Sequence, residues 1–300
     1  MTLMLVDAAN LYFRAFYALP ETLTARDGRP VNAVRGFLDM SAMLVERRRP
    51  TRYVACLDLD WRPEFRVALV PSYKAHRVAA NGSEQIPQLL VPQVPLLLDV
   101  LYALGLATSG ADGFEADDVI ATLAARDHDR VEIVSGDRDL LALATDRVTV
   151  LYAGRGIGKL EAMGPAEVRA KYGVPAEHYP DFAVLRGDPS DGLPGVAGIG
   201  EKTAAALVAR FGSIESIVAA VARGDDGFPA GAANKVRAAL AYLAVAPAAV
   251  RGRVDAPVAE VADELSPTPR DPDRLQRLVA ELDIADSVGR MQRAIRLAIG

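Results

Sequence analysis

The sequence predicts an α/β protein whose first half, with a largely parallel sheet, is followed by a helical half. In the first half, short apolar segments typical of strands alternate with segments of helical apolar spacing, as in parallel βαβ units. From about Tyr179 onward the strand pattern ends, and short helical segments punctuated by Gly and Pro take over. Acidic residues also follow the strand-like segments repeatedly, at the edge where an open α/β sheet gathers its ligand site.

The first half supplies four strands and four helices. Strands are expected over Leu3–Asp7, Tyr53–Asp58, Val131–Ser135 and Val148–Leu151. Helices are expected over Leu11–Leu19, Val34–Arg47, Pro92–Leu104 and Asp117–Arg126. Between Pro71 and Pro87 no apolar face is sustained, and irregular segments of this length in compact domains are typically functional or mobile.

The second half is predicted to be helical throughout. Helices are expected over Phe182–Arg186, Glu201–Phe211, Ile214–Ala222, Ala232–Leu243 and Arg274–Ile284, with helical character again in residues 291–300. The stretch from Pro247 to Pro272 is rich in Pro and Asp and is expected to be a loop. The predicted division is therefore an α/β domain over residues 1–178 and a helical region over 179–300.

Composition indicates a folded chain of the cytoplasm. With 300 residues, 51% hydrophobic and 24% charged, the chain can bury a substantial core. The single cysteine, Cys56, excludes a disulfide framework and fits a reducing compartment. No signal peptide or membrane span is recognisable, so no membrane partner is expected. The net charge of −5 argues only weakly against nucleic acid, because acids held by metal ions would not repel it.

The acidic residues are the most informative part of the sequence. Asp7 and Asp58 each end an apolar strand-like segment. The remaining acids lie in three short motifs, GFEADDVIA, GDRDL and RGDPSDGLPG, which contain Glu115, Asp117, Asp118, Asp137, Asp139, Asp188 and Asp191. Clustered carboxylates repel one another and persist together when cations neutralise them. This pattern predicts a divalent-metal site.

Each acidic motif also has a simpler explanation. Acids are favoured in the first turn of a helix by capping and by the helix dipole, which alone could account for Glu115, Asp117 and Asp118. Asp, Ser, Pro and Gly are ordinary turn residues, so RGDPSDGLPG could be a plain loop. Three such motifs together with two strand-terminal aspartates exceed what capping requires. Oxygen ligands without a His/Cys cluster favour Mg²⁺ or Mn²⁺ over zinc.

A second motif, LPGVAGIGEKTAAALVARFGSIESI, predicts a contact with the DNA backbone. Gly195, Gly198 and Gly200 permit a tight turn into a helix, whose first N–H groups are then free to meet a phosphate. Lys202 and Thr203 add a charge and a hydroxyl in the first turn. Such a helix–hairpin–helix fixes position without reading bases. The simpler alternative is a Gly-rich helix connector, and a Walker-type loop lacks the spacing and the preceding strand.

A basic segment follows the strand that delivers Asp58. Lys74 and Arg77 are placed to hold a phosphate or to stabilise charge in a transition state, and Tyr73 is placed to stack on a base. Arg62 and Arg66 either share this role or belong to a solvated face, and the sequence leaves both readings open.

The order of these motifs resembles one family. The chain contains, in succession, VDAANLYFRAFYAL, PVNAVRGFLDM, ACLD with PSYKAHR, GFEADDVIATLA, SGDRDLLAL and GDPSDGLPGVAGIGEKTA. It resembles the 5′-nuclease domain of bacterial DNA polymerase I, the flap endonucleases and the phage 5′-exonucleases, from Leu3 to about Val288. The resemblance implies a stand-alone PIN-like nuclease with a mixed, mostly parallel sheet. It also implies a helical arch within about 71–88, formed by Val78–Gln88, and a helix–hairpin–helix over about 194–222.

The resemblance further implies the roles of site residues. A first ion would be surrounded by Asp7, Asp58, Glu115 and Asp117, and a second by Asp118, Asp137, Asp139 and Asp191, with Asp188 nearby. Two or three Mg²⁺ or Mn²⁺ ions are expected, with Lys74 and Arg77 as catalytic residues at the foot of the arch. The hairpin, Gly195 to Thr203, would grip duplex DNA with a K⁺ ion on its carbonyls.

Two positions depart from the pattern of the family. Gly192 stands where the family usually has Asn, which is expected to loosen that loop. The segment from Asp58 to Phe65 is one residue longer than in close relatives, so the choice of Asp58 over Asp60 rests on the end of the strand.

The expected activity is hydrolysis of phosphodiesters near free 5′ ends in replication and repair. The expected partners are DNA with 5′ ends, flaps or RNA primers, and the chain is expected to act as a monomer. Two alternatives remain: a PIN-like RNase, and a non-catalytic protein that binds DNA junctions.

Overall fold

A six-stranded sheet organises the computed structural model, which describes all 300 residues. The strands are β1 (Thr2–Asp7), β2 (Arg52–Cys56), β3 (Ala107–Ser109), β4 (Arg130–Ser135), β5 (Val148–Tyr152) and β6 (Glu161–Met163). Their order across the sheet is β3-β2-β1-β4-β5-β6. Every neighbouring pair is parallel except β5 and β6, which are antiparallel.

Fourteen α-helices surround and extend this sheet. Those of the first half are α1 (Ala8–Ala18), α2 (Asn32–Arg48), α3 (Glu64–Leu69), α4 (Gln93–Leu104), α5 (Ala116–Arg126) and α6 (Pro165–Tyr172). Those of the second half are α7 (Tyr179–Arg186), α8 (Glu201–Phe211), α9 (Ile214–Arg223), α10 (Ala232–Ala238), α11 (Leu240–Leu243), α12 (Ala246–Val250), α13 (Pro272–Leu282) and α14 (Ala285–Ile299).

The topology brings the ends of three strands together. β1 lies between β2 and β4, with Asp7 beside Cys56 and Val6 beside Val134. The chain therefore leaves β1 toward one side of the sheet and later returns to its other side. In an open parallel sheet, ligands bind in the crevice outside the carboxyl ends of the strands where the order reverses.

Both faces of the sheet are buried against helices. One apolar cluster contains sheet residues such as Leu5 and Val54 together with Phe182, Leu207 and Val236 of the helical region. A second cluster on the other face packs the sheet against α1, α2, α4, α13 and α14. The α/β part and much of the helical region thus share one core, which fixes the hairpin relative to the strand ends.

Most of the longer elements and several short ones were predicted, but α14 was predicted only for its second half. β3, β6, α3 and α6 were missed, and all but the first residue of α12 lies inside the stretch expected to be a loop. The strands β3 and β6 have three residues each, too few for a period-2 pattern to be recognised. The expected helix over Ala232–Leu243 is divided into α10 and α11.

The helical arch expected at about 71–88 is wrong in its secondary structure. No α-helix forms there, and only a short 3-10 turn covers Ala75–Arg77. Val78 and Glu84 instead form an antiparallel bridge, closed by a turn in which Gly82 has φ +83°. A segment without an apolar face gains little from forming a helix, since packing of such a face supplies most helical stability in proteins.

No single helix is both long and apolar enough to cross a bilayer; α8 and α9 meet those criteria only as a pair bent by 81°.

Candidate active site

A cavity of about 600 Å³ opens at the carboxyl edge of the sheet. Six carboxylates line it, from Asp7, Asp58, Glu84, Glu115, Asp117 and Asp137. Arg14, Lys74 and Arg77 line it as well. The structure therefore brings together acids from five separate stretches of the chain, and the sequence predicts all of them except Glu84.

Hydrogen bonds, two local and two between distant parts of the chain, hold three of these acids in place. Asp7 is the N-cap of α1 and accepts from the N–H of Asn10 at 3.0 Å and from Ser135 Oγ at 2.6 Å. Asp58 accepts from the N–H of Ala116 at 2.6 Å, which ties the end of β2 to the start of α5. Asp137 accepts from the N–H of Asp139 at 2.8 Å. Cap and turn formation thus orients Asp7 and Asp137, whereas Asp58 is oriented by its contact with the start of α5.

Burial and mutual repulsion disfavour ionisation in this cluster. Burial, with repulsion from Asp58, raises the pKa of Asp7 to about 7. Burial, with repulsion from Asp137, raises the pKa of Asp117 and of Asp139 well above the usual range. Burial likewise raises the pKa of Asp191 to about 6. A divalent cation would offset both unfavourable effects, which is the electrostatic signature expected of a metal site.

A smaller cavity of about 30 Å³ adjoins the same cluster. Asp117 lines both cavities, and Asp139 and Asp191 line the smaller one. The acids thus form two groups that share Asp117, in keeping with two neighbouring cation positions. No three of the side chains are arranged to hold one ion directly between them. Ion binding therefore requires rotation of side chains or coordination through water, as Mg²⁺ commonly uses.

Asp118 and Asp188 line neither cavity, and direct metal coordination by them is not supported. Asp118 is fully buried, forms a capping box with Glu115, and is paired with Arg66 at 2.7 Å. The capping alternative accounts for it. Asp188 accepts from Arg138 at 3.1 Å, from Arg186 at 3.0 Å and from Ser190. Arg138 and Arg186 already balance the charge of Asp188, so a divalent cation would gain little electrostatic stabilisation by binding to it.

Glu115 is held by donors that the sequence did not assign to it. Arg66, Tyr73 and Lys74 all donate to its carboxylate, with the Tyr73 hydroxyl at 2.8 Å. The interpretation of Arg66 as part of a solvated face is therefore wrong, because its side chain is only 3% exposed. Base stacking by Tyr73 is also wrong, since this ring is 5% exposed and its hydroxyl is engaged. Arg62 donates to the carbonyl of Tyr73 at 2.7 Å.

Lys74 and Arg77 reach the cavity as expected. Burial opposes the charge on Lys74, but Glu115, Asp191 and Asp58 outweigh it and raise the pKa of the ammonium. Lys74 is therefore a cation at neutral pH. Arg77 donates to the carbonyl of Ser190 at 3.0 Å and lies 3.9 Å from Asp191, with 38% of its side chain exposed. These two positive charges border the carboxylates where a phosphate would have to enter.

The sequence did not indicate two charged residues of the larger cavity, Arg14 and Glu84. Arg14 follows Asp7 by seven residues, two helical turns, and its bond to Asn10 at 2.9 Å places both on the cavity side of α1. That spacing could have identified Arg14. Glu84 comes from the irregular loop, and burial together with repulsion from Asp58 raises its pKa. Nothing in the sequence pattern pointed to Glu84, because tertiary folding alone brings the loop over the cavity.

The hairpin has the geometry expected from its glycines. Gly195 and Gly198 have φ of +70° and +75°, and α8 begins at Glu201 with Gly200 as its N-cap. No side chain caps this helix, so its first-turn N–H groups, including those of Lys202 and Thr203, have no side-chain partner. The Gly198 carbonyl accepts a hydrogen bond from Lys235 Nζ at 2.8 Å, a contact that the sequence did not indicate.

Gly192 does not loosen its loop, contrary to expectation. The N–H of Lys74 donates to the carbonyl of Asp191 at 2.9 Å, and a Cβ on Gly192 would lie 2.1 Å from the carbonyl oxygen of Ser72. The absence of a side chain thus permits close packing between this loop and the segment that carries Lys74.

Comparison with known proteins identifies the family. A family model of the 5′-3′ exonuclease N-terminal resolvase-like domain matches residues 2–173, and one of the 5′-3′ exonuclease C-terminal SAM fold matches residues 174–273. The chain belongs to the 5′-3′ exonuclease family. The resemblance found in the sequence is thereby confirmed, and with it a nuclease activity. The division at residue 178 stays a prediction beside these matched ranges.

Relatives cover nearly the whole chain. It is 49% identical to a 5′-3′ exonuclease of Mycobacterium tuberculosis, over 98% of this chain and 97% of that one. It is also 49% identical to a 5′-3′ exonuclease of Streptomyces coelicolor, over 96% and 98%. DNA polymerase I of Mycobacterium tuberculosis is 42% identical over 94% of this chain and 30% of the polymerase.

Solved structures confirm the fold. The bacteriophage T5 D15 flap endonuclease, in a complex with DNA and metal ions, has a TM-score of 0.64 at 19% identity, with each chain fully covered. Human GEN1 bound to Holliday junction DNA has a TM-score of 0.64 at 14% identity, over 98% of this chain and 71% of GEN1. The predicted PIN-like α/β architecture with a helical region is therefore correct.

Proposed function

We propose that this exonuclease hydrolyses phosphodiesters of DNA near free 5′ ends in a reaction that depends on divalent metal ions. The observation that carries the proposal is the convergence of six carboxylates with Lys74 and Arg77 on one cavity. Burial and neighbouring carboxylates raise the pKa of both Asp7 and Asp117, and a bound cation would offset these two effects.

The two groups of acids support a division of the proposed ligands between two ions. Asp7, Asp58, Glu115 and Asp117, which line the larger cavity, would hold one ion. Asp117, Asp139 and Asp191 of the smaller cavity would hold another, together with Asp137 of the larger one. Mg²⁺ or Mn²⁺ in these positions would supply Lewis-acid polarisation of the phosphate and a nucleophilic water at neutral pH. Lys74 and Arg77 would bind the non-bridging oxygens of the phosphate and stabilise the negative charge that grows there.

The proposed substrate is a DNA duplex with a single-stranded 5′ end, including flaps and RNA primers. The relatives named 5′-3′ exonuclease and the DNA complex of the T5 flap endonuclease support this. The uncapped start of α8 supplies N–H groups for the backbone of the duplex. The loop of residues 78–88 brings Glu84 to the cavity, where it would restrict which strands enter.

A K⁺ ion on the hairpin carbonyls fits this chain poorly. The Gly198 carbonyl is engaged by Lys235, so an ion would have to displace an ammonium group that already supplies positive charge. A monomeric state and a cytoplasmic location stay predictions from the sequence.

The test is cleavage of a 3′-labelled 5′-flap duplex with Mg²⁺, Mn²⁺ or EDTA, beside single-stranded RNA of the same sequence. Asp137→Asn should lower the rate roughly a hundredfold or more while DNA still binds. Asp112→Asn is the matched control, since Asp112 is exposed and lines neither cavity. DNA binding without metal-dependent cutting would support the junction-binding alternative, and preferential cutting of RNA the RNase alternative.

A further inference from the structure

Arg66 carries a guanidinium group enclosed by elements from both halves of the chain. It lies on α3 and is 3% exposed. Its Nη1 and Nη2 donate to Asp118 at 2.9 and 2.7 Å, and Nη1 also donates to Glu115. Its Nε donates to the backbone carbonyl of Ala249 in α12 at 2.9 Å. Because the guanidinium is rigid and planar, these bonds fix α3, α5 and α12 in direction as well as distance.

The first set of contacts positions Glu115. Arg66 and the Tyr73 hydroxyl share one oxygen of this carboxylate. Asp118, the other partner of Arg66, also accepts from the N–H of Arg253 at 2.8 Å. Asp118 therefore anchors the guanidinium, and the guanidinium in turn anchors an acid of the larger cavity.

The remaining contact leads to the helical region. The helix α12 packs on α3 and on α7, the helix from which the chain continues into the hairpin. The Tyr242 hydroxyl, near α12, donates to the carbonyl of Val184 in α7 at 3.2 Å. The smaller cavity is lined by Arg66 and Ala249 together with Asp117, Asp139 and Asp191. One side chain thus lies between the acids and the part of the molecule that would hold the duplex.

We propose that Arg66 is a positioning residue that sets the register between bound DNA and the carboxylates, and so selects which phosphodiester is cut. This inference rests on the proposed function. Arg66 is enclosed and acts through Glu115 and Ala249 without touching the substrate. Its loss would displace the acids relative to the duplex, and a misplacement of about 1 Å can cost roughly a hundredfold in rate.

The experiment measures product lengths at single-nucleotide resolution from a 3′-labelled 5′-flap duplex under single-turnover conditions, with DNA affinity measured separately in EDTA. Arg66→Lys retains the positive charge but loses the planar guanidinium group, whose N–H groups donate to Asp118 and to the Ala249 carbonyl at the same time. It should lower the cleavage rate roughly 10- to 100-fold and spread cutting over neighbouring phosphodiesters, with DNA affinity within about threefold of wild type. Tyr73→Phe is the matched control, because Tyr73 contacts Glu115 but not α12: its rate should fall while its cut position stays unchanged.

Several results would overturn the proposal. One is an unchanged product pattern in Arg66→Lys; another is weaker DNA binding with a reduced salt dependence, which would indicate a direct phosphate contact. If thermal melting shows that Arg66→Lys is unfolded, Asp118→Asn replaces it in the same assay, because Asp118 holds the guanidinium of Arg66. The proposal then requires that Asp118→Asn spread cutting over neighbouring phosphodiesters. A wild-type protein that does not cut the duplex would contradict the proposed function itself, whereas identical cut positions in the wild type and in Arg66→Lys would contradict the role of Arg66 alone.

Discussion

Gly192 has no room for a side chain where its loop meets the segment that carries Lys74. Its φ is +71°, and a Cβ would lie 2.1 Å from the carbonyl oxygen of Ser72. Backbone conformation and contact both require glycine here. The loop that supplies Asp191 therefore packs directly against the backbone of the segment that supplies Lys74, and Gly192 is the residue at the contact.

Gly192→Ala should destabilise the protein and lower nuclease activity together, because the added methyl pushes Ser72 and Lys74 away from Asp191. Gly224→Ala is the matched control: Gly224 has φ +70° but open space around its Cα, so only the backbone strain of about 1 kcal/mol is incurred. Melting temperature and cleavage rate are measured for both. Equal losses in the two variants would show that the contact with Ser72 has no role.

Tertiary folding adds a positive charge to the hairpin. Lys235 is exposed on α10, yet its ammonium is held at the Gly198 carbonyl beside the first turn of α8. The hairpin therefore presents positive charge from α10 as well as from Lys202. Since phosphate contacts position a duplex without reading its sequence, this charge should raise affinity for any duplex.

Lys235→Met should weaken duplex binding and reduce the slope of log affinity against log salt by about one, as expected for the loss of one phosphate contact. Arg237→Met, on the same helix and bonded to Asn234, is the control and should change both quantities less. Affinity is measured in EDTA over a range of salt concentrations. A salt slope unchanged by Lys235→Met would contradict the contact.

At the scale of the whole molecule, stability and the proposed metal binding are linked through the buried acids. The folded state raises the pKa of Asp7 to about 7 and of Asp191 to about 6, from an ordinary value of 3.8. Between the ordinary pKa and the raised pKa of each group, the folded protein thus binds more protons than the unfolded chain. The free energy of unfolding therefore falls as the pH rises through this range. Divalent ions replace the protons as neutralising charge above that range.

The melting temperature in EDTA should therefore decrease from about pH 5 to about pH 8, and the increase caused by Mg²⁺ should be larger at the higher pH. Differential scanning calorimetry at both pH values, with and without Mg²⁺, measures this. Asp7→Asn should lose part of the pH dependence in EDTA, because one repelling charge is gone. An increase in melting temperature on adding Mg²⁺ that is equal at both pH values would contradict the proposed link between protonation of the acids and metal binding.

The sequence alone determined the alternation of strands and helices, the long helices and the gathering of acids at strand ends. Periodicity and turn chemistry are local properties, so β1, α5 and the start of α8 at Glu201 could be predicted from them. Parallel pairing then necessarily brings Asp7, Asp58 and Asp137 to one edge. Among the acids, however, the sequence could not separate Asp118 and Asp188 from the others, since all share the same local pattern.

The partners of the charged side chains, by contrast, could not be read from the sequence, because they meet only in the folded protein. Arg66 is 52 residues from Asp118, and Lys235 is 37 residues from Gly198, separations at which no local pattern reports a contact. The same holds for Glu84, which a loop without periodicity brings to the cavity. Local sequence fixes backbone conformation because its energetics involve near neighbours, whereas ion pairing and burial depend on residues that meet only when the core shared by both halves forms.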